Sequence, residues 1–466
     1  MTNAKALLLI PVENQVRELD PKLLLACVAA RRGFSSMIGS RREMEFNIDA
    51  FPQSIYLSKS MTIRSLLFFR VAKKFGHEII TWDEEALVHL PPETYFSRRL
   101  NPSAIRYVSH LFAWGTDNRE LWRQYVDLPD KLPIHITGNP RIDLMRPELR
   151  EYYKPQVDAL HERYGDFVLV NTNFGLVNHF YPDLGYLKKA VESSVPETVN
   201  PYDAGKGRHK LALFHCFQEM LPSLCAAVPD HTVILRPHPA ENQEVWVSIA
   251  KRCPNLRVTS DGSITPWLMA TKAVIANGCM TLVEAAVLGA PAVAYQPVIS
   301  KEFDDDLPNS LSHHAFSTDE LCAAIRAVIA GELGPFDPSV RRDILGQHIA
   351  ALDGALAADR IIQVLEAHGY NKQNPPAVSS RDYIRGWAHN KLRTLMKRIN
   401  MRRPGHRNNA AFHDHRFPEI SVEEIMEQIA RLGQLVNRFE TIHVEQHSKH
   451  IFKISSTSVN GRNASP

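Results

Sequence analysis

What the 466-residue chain lacks narrows its class first. No apolar stretch approaches the roughly 20 residues that a membrane-spanning helix needs. The longest runs are Ala6–Val12 and Leu23–Ala30. The six cysteines stand apart, with no CxxC pair. Their spacing argues against a zinc finger or a disulfide framework and fits a reducing compartment. Proline (30) and glycine (22) are too few for a collagenous or low-complexity chain. No small-residue cleavage pattern follows Met1–Ile10, which reads as a buried first strand rather than a signal peptide. There is no Walker loop, no GxGxxG after the first strand and no GxSxG elbow. Neither charge dominates, since 54 Lys and Arg face 51 Asp and Glu, a net +3. These absences predict a cytoplasmic protein. The charge is nonetheless unevenly placed. Tyr383–His413 holds eight Lys and Arg and no acid, so the rest of the chain, +3 less +8, carries −5.

What is present is an ordinary globular composition, 44% hydrophobic and 23% charged, long enough for two or three domains. Short apolar runs alternate with helical patterns. Ala6–Val12 suits a strand buried on both faces. Asp20 and Pro21 then precede Leu23–Ala30, and Gly33 ends that helix. Ile55–Leu57, Glu78–Trp82, Leu111–Trp114 and Ile134–Thr137 continue the strand series. It resumes with Phe167–Asn171, Thr232–Leu235, Leu256–Thr259, Ala273–Ala276 and Ala292–Tyr295. Helices are expected at Arg146–His161, Leu211–Ala227 and Asp319–Ile329. This alternation predicts an α/β protein with two Rossmann-like doubly wound domains, 1–150 and 151–335. Helices over 336–370 should pack back on the body. A linker and basic helical extension should follow over 371–454, then a disordered tail over 455–466.

Ligands in open α/β sheets sit beyond the carboxyl ends of the strands. Five segments there carry polar chemistry. Arg236-Pro237-His238-Pro239 follows a strand directly; its prolines stiffen the turn, and a cation beside an imidazole suits a phosphate. The alternative is a rigid loop with incidental polar groups. Asn277–Glu284 runs through Gly278 into a helix start, where backbone N–H groups and the Thr281 hydroxyl suit an anion and Glu284 suits ribose hydroxyls. A plain capping box of Thr281 and Glu284 fits the same spacing. Asn171, Thr172 and Asn173, leading into Gly175, suit a diphosphate or form a simple turn. Asp83, Glu84 and Glu85 offer a general base or an acidic helix start. Glu13, Asn14 and Arg17 follow the first strand, with functional and structural readings balanced.

Other features point away from metal and nucleic acid. His413-Asp414-His415 and His313-His314 lack a convincing further ligand. The basic segment contains Arg385, Lys391, Arg393, Lys397, Arg398, Arg402, Arg403 and Arg407. Trp387, Leu392, Leu395, Met396 and Ile399 interleave with them at helical spacing. That pattern reads as a helix lying on an anionic inner-membrane surface, against a solvated helix packed on the body. Aromatics are too sparse there for nucleic acid stacking.

Taken together, these residues resemble a known group. Two α/β units, a His-Pro turn and a Gly/Thr loop entering a helix with an acidic residue resemble GT-B glycosyltransferases. The His-Pro element is similar to that of polysialyltransferases, Kdo transferases and CDP-glycerol glycerophosphotransferases. The chain resembles most the bacterial surface carbohydrate biosynthesis protein family. The strings that carry this likeness are ENQVRELD (Glu13–Asp20), TWDEEAL (Thr81–Leu87), TGNPRIDLMR (Thr137–Arg146), VNTNF (Val170–Phe174), RPHPAE (Arg236–Glu241) and RFPEISVEEI (Arg416–Ile425). One departure is that Ala292, rather than an acid, stands eight residues after Glu284, which weakens a retaining mechanism. The resemblance implies two domains facing a cleft and metal-independent transfer of a nucleotide-activated sugar, leaning to CMP-linked Kdo, onto a glycan or lipid-linked acceptor. Arg236, His238, Thr281 and Glu284 would hold the nucleotide as substrate, with no cofactor. Asp83, Glu84 or Glu13 would be the base, and the acceptor would meet Asn14, Arg17 and Glu85. A UDP-sugar 2-epimerase, a CDP-glycerol phosphotransferase and a non-catalytic nucleotide-sugar or lipid scaffold are the alternatives.

Overall fold

The computed structural model describes residues 6–181, 185–192, 200–372, 377–403, 409, 413–414 and 416–457. In chain order the strands are β1 (Leu7–Val12), β2 (Ser35–Ser40), β3 (Ile55–Ser58), β4 (Glu78–Thr81), β5 (His110–Ala113), β6 (Ile134–Ile136), β7 (Phe167–Asn171), β8 (Thr232–Arg236), β9 (Leu256–Val258), β10 (Ala273–Ala276), β11 (Ala292–Tyr295), β12 (His313–Ala315), β13 (Ile442–Ser448) and β14 (Ile451–Ser456). The chain divides into two compact units, 1–152 with 346–466, and 153–345.

The first unit holds an eight-stranded sheet in the order β13-β14-β2-β1-β3-β4-β5-β6. Its six N-terminal strands are parallel. The second unit holds a six-stranded parallel sheet, β12-β11-β10-β7-β8-β9. Numbered within that unit, this is the 3-2-1-4-5-6 order of a Rossmann domain, and its order reverses between β7 and β10. The corresponding reversal in the first unit lies between β1 and β3. Both sheets are therefore doubly wound α/β structures, as the alternation predicted. β1, β3, β5, β10 and β11 are buried along their whole length, which is why they read as unbroken apolar runs. In the second unit, helix residues Leu213, Phe217, Leu221 and Leu224 cover one face with Val168, Val170 and Val233. Trp267, Leu268 and Leu282 cover the other with Phe167, Leu169 and Val274.

The C-terminal region differs from expectation. It does not remain helical to residue 454; β13 and β14 form an antiparallel hairpin, and β14 extends the first sheet by pairing with β2. Ser455 and Ser456 belong to β14 rather than to a disordered tail; residues 458–466 lie outside the described residues. Pairing requires glycine at Gly39, where φ is +148° and a Cβ would meet the His450 carbonyl oxygen at 2.0 Å. The helices expected over 336–370 are two, Pro338–His348 and Ala357–Ala367. Asp143 accepts from the Ala357 and Ala358 N–H groups, at 2.8 and 2.9 Å, and so caps the second of them. The helix expected at Leu211 begins a decade earlier, at Pro201, with Asn200 as its cap.

Candidate functional site

The second unit brings three of the singled-out segments together at its switch point. Asn171 ends β7, and its Nδ2 donates to Thr281 Oγ1 at 2.8 Å, across to the loop that follows β10. Asn173 Nδ2 donates to the Gly278 carbonyl at 3.2 Å. β7 and β8 are paired so that Asn171 faces Arg236, which places the His-Pro turn beside the asparagines. Glu241 joins these loops. Its buried Oε1 accepts from Thr172 Oγ1 at 2.8 Å, Phe174 N at 2.9 Å and His238 N at 3.1 Å, while Oε2 accepts from Trp246 Nε1 at 3.1 Å. Burial raises its pKa to about 7 despite these donors.

The loop after β10 needs glycine at Gly278. Its φ is +48°, and a Cβ would lie 2.8 Å from Asp305 Oδ2. Behind it, the helix Pro201–Ala227 presents Lys206, His209 and Lys210, all buried. Lys206 Nζ donates to the Phe303 carbonyl at 2.8 Å and reaches Asp305 at 3.3 Å. Lys210 Nζ lies 4.0 Å from the same carboxylate. Lys206 and Lys210 share the Asp305 carboxylate, and the Asp304 charge also acts on Lys210, so two buried cations face two carboxylates beside Gly278 and Cys279. Desolvation lowers the Lys210 pKa, and the Asp305 charge opposes that shift. His209 Nε2 pairs with Asp304 Oδ1 at 2.8 Å. A backbone loop, two amide side chains and a buried cation pair at one strand end can bind an anionic group.

Several expected roles change once partners are visible. Arg236 is buried, and its guanidinium is already engaged. It donates to the Asp261 and Gly262 carbonyls at 2.6 and 3.0 Å and stacks 4.6 Å over Trp267. It is a loop clamp, not a phosphate ligand. His238 is exposed, and its Nδ1 accepts from the Ala240 N–H at 3.1 Å. The neutral ring therefore carries its proton on Nε2. Thr172 is buried on Glu241 and serves position rather than contact. The capping box of Thr281 and Glu284 does not form; Cys279 is the N-cap of the helix Met280–Leu288. Glu284 sits in the second turn and is only 1% exposed, too deep to meet a ribose.

In the first unit, the switch point is occupied by charges. Glu13 pairs with Lys59 at 2.7 Å, Arg416 at 3.0 Å and Arg41 at 3.1 Å. Glu18 pairs with Lys22 at 2.7 Å and Lys59 at 3.0 Å. Burial alone would raise the Glu13 pKa, but Lys59, Arg41 and Arg416 outweigh it and set it at about 2. Such a carboxylate is too weak a base for the role considered above. Asp83 is fully buried, paired with Arg99 and accepting from Tyr95 Oη at 2.8 Å. It is a structural anion. Glu84 is half-buried, and its carboxylate accepts from Trp82 Nε1 at 2.8 Å and lies close enough to Lys59 to raise that lysine's pKa. Asn14 precedes the helix Gln15–Arg31; burial would raise the Glu85 pKa, but Arg17, Arg99, Lys59 and Arg141 together outweigh burial and lower it. The paired histidines have other partners. His313 bonds the Gly334 carbonyl, His314 bonds Gln296, and His413 bonds Ser40; His415 lies outside the described residues.

Sequence reasoning missed Glu241, Lys206, His209, Lys210, Asp304 and Asp305. The i, i+3, i+4 spacing of Lys206, His209 and Lys210 was a usable signal, because it places all three on one helix face.

These two sheets define a protein of two Rossmann-like α/β units. No family model matches the chain, and no curated protein matches it in sequence. Solved structures resemble it remotely. The UDP-GlcNAc 2-epimerase of Methanocaldococcus jannaschii, in complex with UDP-GlcNAc and UDP, aligns at 11% identity and TM-score 0.45, over 78% of this chain and 99% of that one. The wall teichoic acid polymerase TagF aligns at 11% identity and TM-score 0.47, over 79% and 89%. HepE of Anabaena, in complex with UDP and glucose, aligns at 11% identity and TM-score 0.40, over 79% and 100%.

Proposed function

We propose that the protein is a metal-independent glycosyltransferase of GT-B type that takes a sugar from a nucleotide-activated donor. The observation that carries this reading is the joining of Asn171, Asn173, Gly278 and Thr281 across the switch point of the Rossmann-ordered sheet, beside Lys206 and Lys210. The donor phosphate meets the loop of Gly278 to Thr281 and His238 Nε2. Glu241 holds that loop set in place. The leaving phosphate charge is offset by fixed backbone dipoles and the buried lysines. The acceptor hydroxyl belongs to the first unit, where Glu84 is the base that removes its proton. A CMP-linked ulosonic acid is the preferred donor, on the strength of the His-Pro likeness.

The helix Ser380–Met401 supports a lipid-linked or membrane-associated acceptor. Its inward face is small and polar, built of Gly386, Asn390, Arg393 and Thr394. Ile384, Leu392, Leu395 and Ile399 are more than half exposed on the outward face. A helix merely packed on the body would have the reverse arrangement. Arg393 and Lys397 pair with Glu45, and Lys391 with Asp49, so those three cations are engaged internally. Arg385, Arg398, Arg402 and Arg403 remain at the surface; Arg407 is outside the described residues. A groove of about 620 Å³ beside this helix is lined by Leu67, Arg70, Lys73, Lys74, Leu392 and Met396, a mixture suited to an acyl chain and its phosphate. Among the described residues no helix is long and apolar enough to cross a membrane.

The test is turnover of CMP-, CDP-, UDP- and GDP-activated donors with a lipid-linked glycan acceptor. The reading expects acceptor-dependent release of one nucleotide, lost in Glu84→Gln. Release without acceptor and with sugar inversion would favour the 2-epimerase. Transfer of glycerol phosphate would favour the CDP-glycerol enzyme, and binding without turnover the scaffold.

A further inference from the structure

We propose that His110, His135 and His368 form a divalent transition-metal site of zinc type in the first unit, separate from the candidate catalytic residues. The three are far apart in sequence and meet only in the fold. His110 opens β5, His135 lies in β6, and His368 follows the helix Ala357–Ala367. One ring nitrogen from each lies within 4.8 Å of the other two. His110 Nδ1 and His135 Nε2 are 3.1 Å apart. Two nitrogens on one tetrahedral zinc, each at about 2.0–2.1 Å from the metal, stand about 3.3–3.4 Å apart. The β5–β6 pair therefore already has the required bite.

The third ligand is oriented by a further contact. His368 Nδ1–H donates to the Val364 carbonyl at 2.8 Å, which leaves Nε2 as its ligand atom. A ligand histidine that gives its other N–H to a backbone carbonyl is the usual arrangement at such sites. His110 is buried, His135 half-buried and His368 exposed, so the fourth position opens to solvent. Imidazole-only donors favour zinc and the borderline first-row metals over magnesium or calcium. The location matters as well. His110 is at the amino end of β5, whereas Asp83, Glu84 and Glu85 follow the carboxyl end of β4. A metal here would fasten the end of the helix Ala357–Ala367 to the sheet, as a structural staple.

The experiment uses tag-free full-length protein stripped with EDTA and dialysed. Zinc is titrated against a chromophoric chelator, and cobalt is followed by its visible absorption. Because the chain has 21 histidines, His368→Gln is compared with a distant surface variant, His447→Gln. Circular dichroism checks that both are folded. The proposal expects one equivalent of tight zinc, a tetrahedral cobalt spectrum, and affinity weakened at least tenfold to a hundredfold in His368→Gln. His447→Gln should bind as wild type. Absence of a saturable site in the wild type, or equal affinity in His368→Gln, would overturn it.

Discussion

Replacing Glu241 by glutamine probes the join between the two phosphate-facing loops. The wild-type carboxyl has a folded pKa of about 7, raised from 4.5 chiefly by burial. A carboxyl raised on folding holds its proton more tightly in the native state. Its favourable contribution is complete below the unfolded value and is lost as pH climbs to the folded one. The gap corresponds to about 3 kcal/mol, at 1.36 kcal/mol for each pH unit. Glutamine does not ionise, so this dependence vanishes in Glu241→Gln. Glutamine also sets an N–H against Trp246 Nε1 at 3.1 Å, where an oxygen of the carboxyl, protonated or not, keeps a lone pair for that donor; the lost bond costs about 1–3 kcal/mol. At pH 5 the wild type should therefore be the more stable protein. Its advantage should shrink by about 3 kcal/mol by pH 8, to parity or reversal. Urea titrations of both proteins across that range measure the difference. A difference that is flat with pH, or that grows as pH rises, would refute a raised Glu241 pKa and with it the account of how these loops are held.

Other outcomes follow from the same contacts. Glu45 accepts from Arg41 at 2.7 Å and from Arg393 and Lys397 at 3.0 Å, so Glu45→Gln leaves buried cations without their anion; a loss of about 3–5 kcal/mol and faster proteolysis around Ser380–Met401 are expected. Asp83→Asn should lower the melting temperature through the Arg99 pair, whereas Glu84→Gln should leave it within a degree or two and abolish turnover; a stable, active Glu84→Gln would remove Glu84 as the base. Ile384→Asp with Leu395→Asp should release the protein from vesicles of anionic phospholipid in a flotation assay while leaving its fold intact by circular dichroism. Flotation unchanged by the pair would show that this face does not meet lipid.

The parts of the fold legible in the sequence were those where one local pattern decides. β1, β7 and β10 are apolar on both faces, so their runs had no competing reading. The Ser-x-x-Glu spacing of Ser421 and Glu424 is likewise a local pattern, and the capping box it specifies is present. The hairpin of β13 and β14 was missed because Ser448, Lys449 and His450 carry no Gly, Pro or Asn turn signal. The start of the helix Pro201–Ala227 was missed because Gly205, Lys206, Gly207 and Lys210 break the apolar periodicity while being buried by tertiary partners. At the candidate site, strand-end position marked Asn171, Asn173, Gly278 and Thr281. Position could not distinguish ligand-facing from engaged side chains. Arg236 and Asp83 look like active groups until Asp261 and Arg99 are seen beside them, and both of those lie at least 16 residues away.

The central claim is that the second unit holds a nucleotide at the β7–β10 switch point. Thermal-shift binding of CMP, CDP, UDP and GDP to the wild type and to His238→Ala tests it most directly. A ligand at a hundred times its Kd adds about 2.7 kcal/mol of stability. The account predicts a clear rise in melting temperature with one nucleotide, strongly reduced in His238→Ala. No shift with any of the four, or a shift unchanged by the substitution, would contradict it.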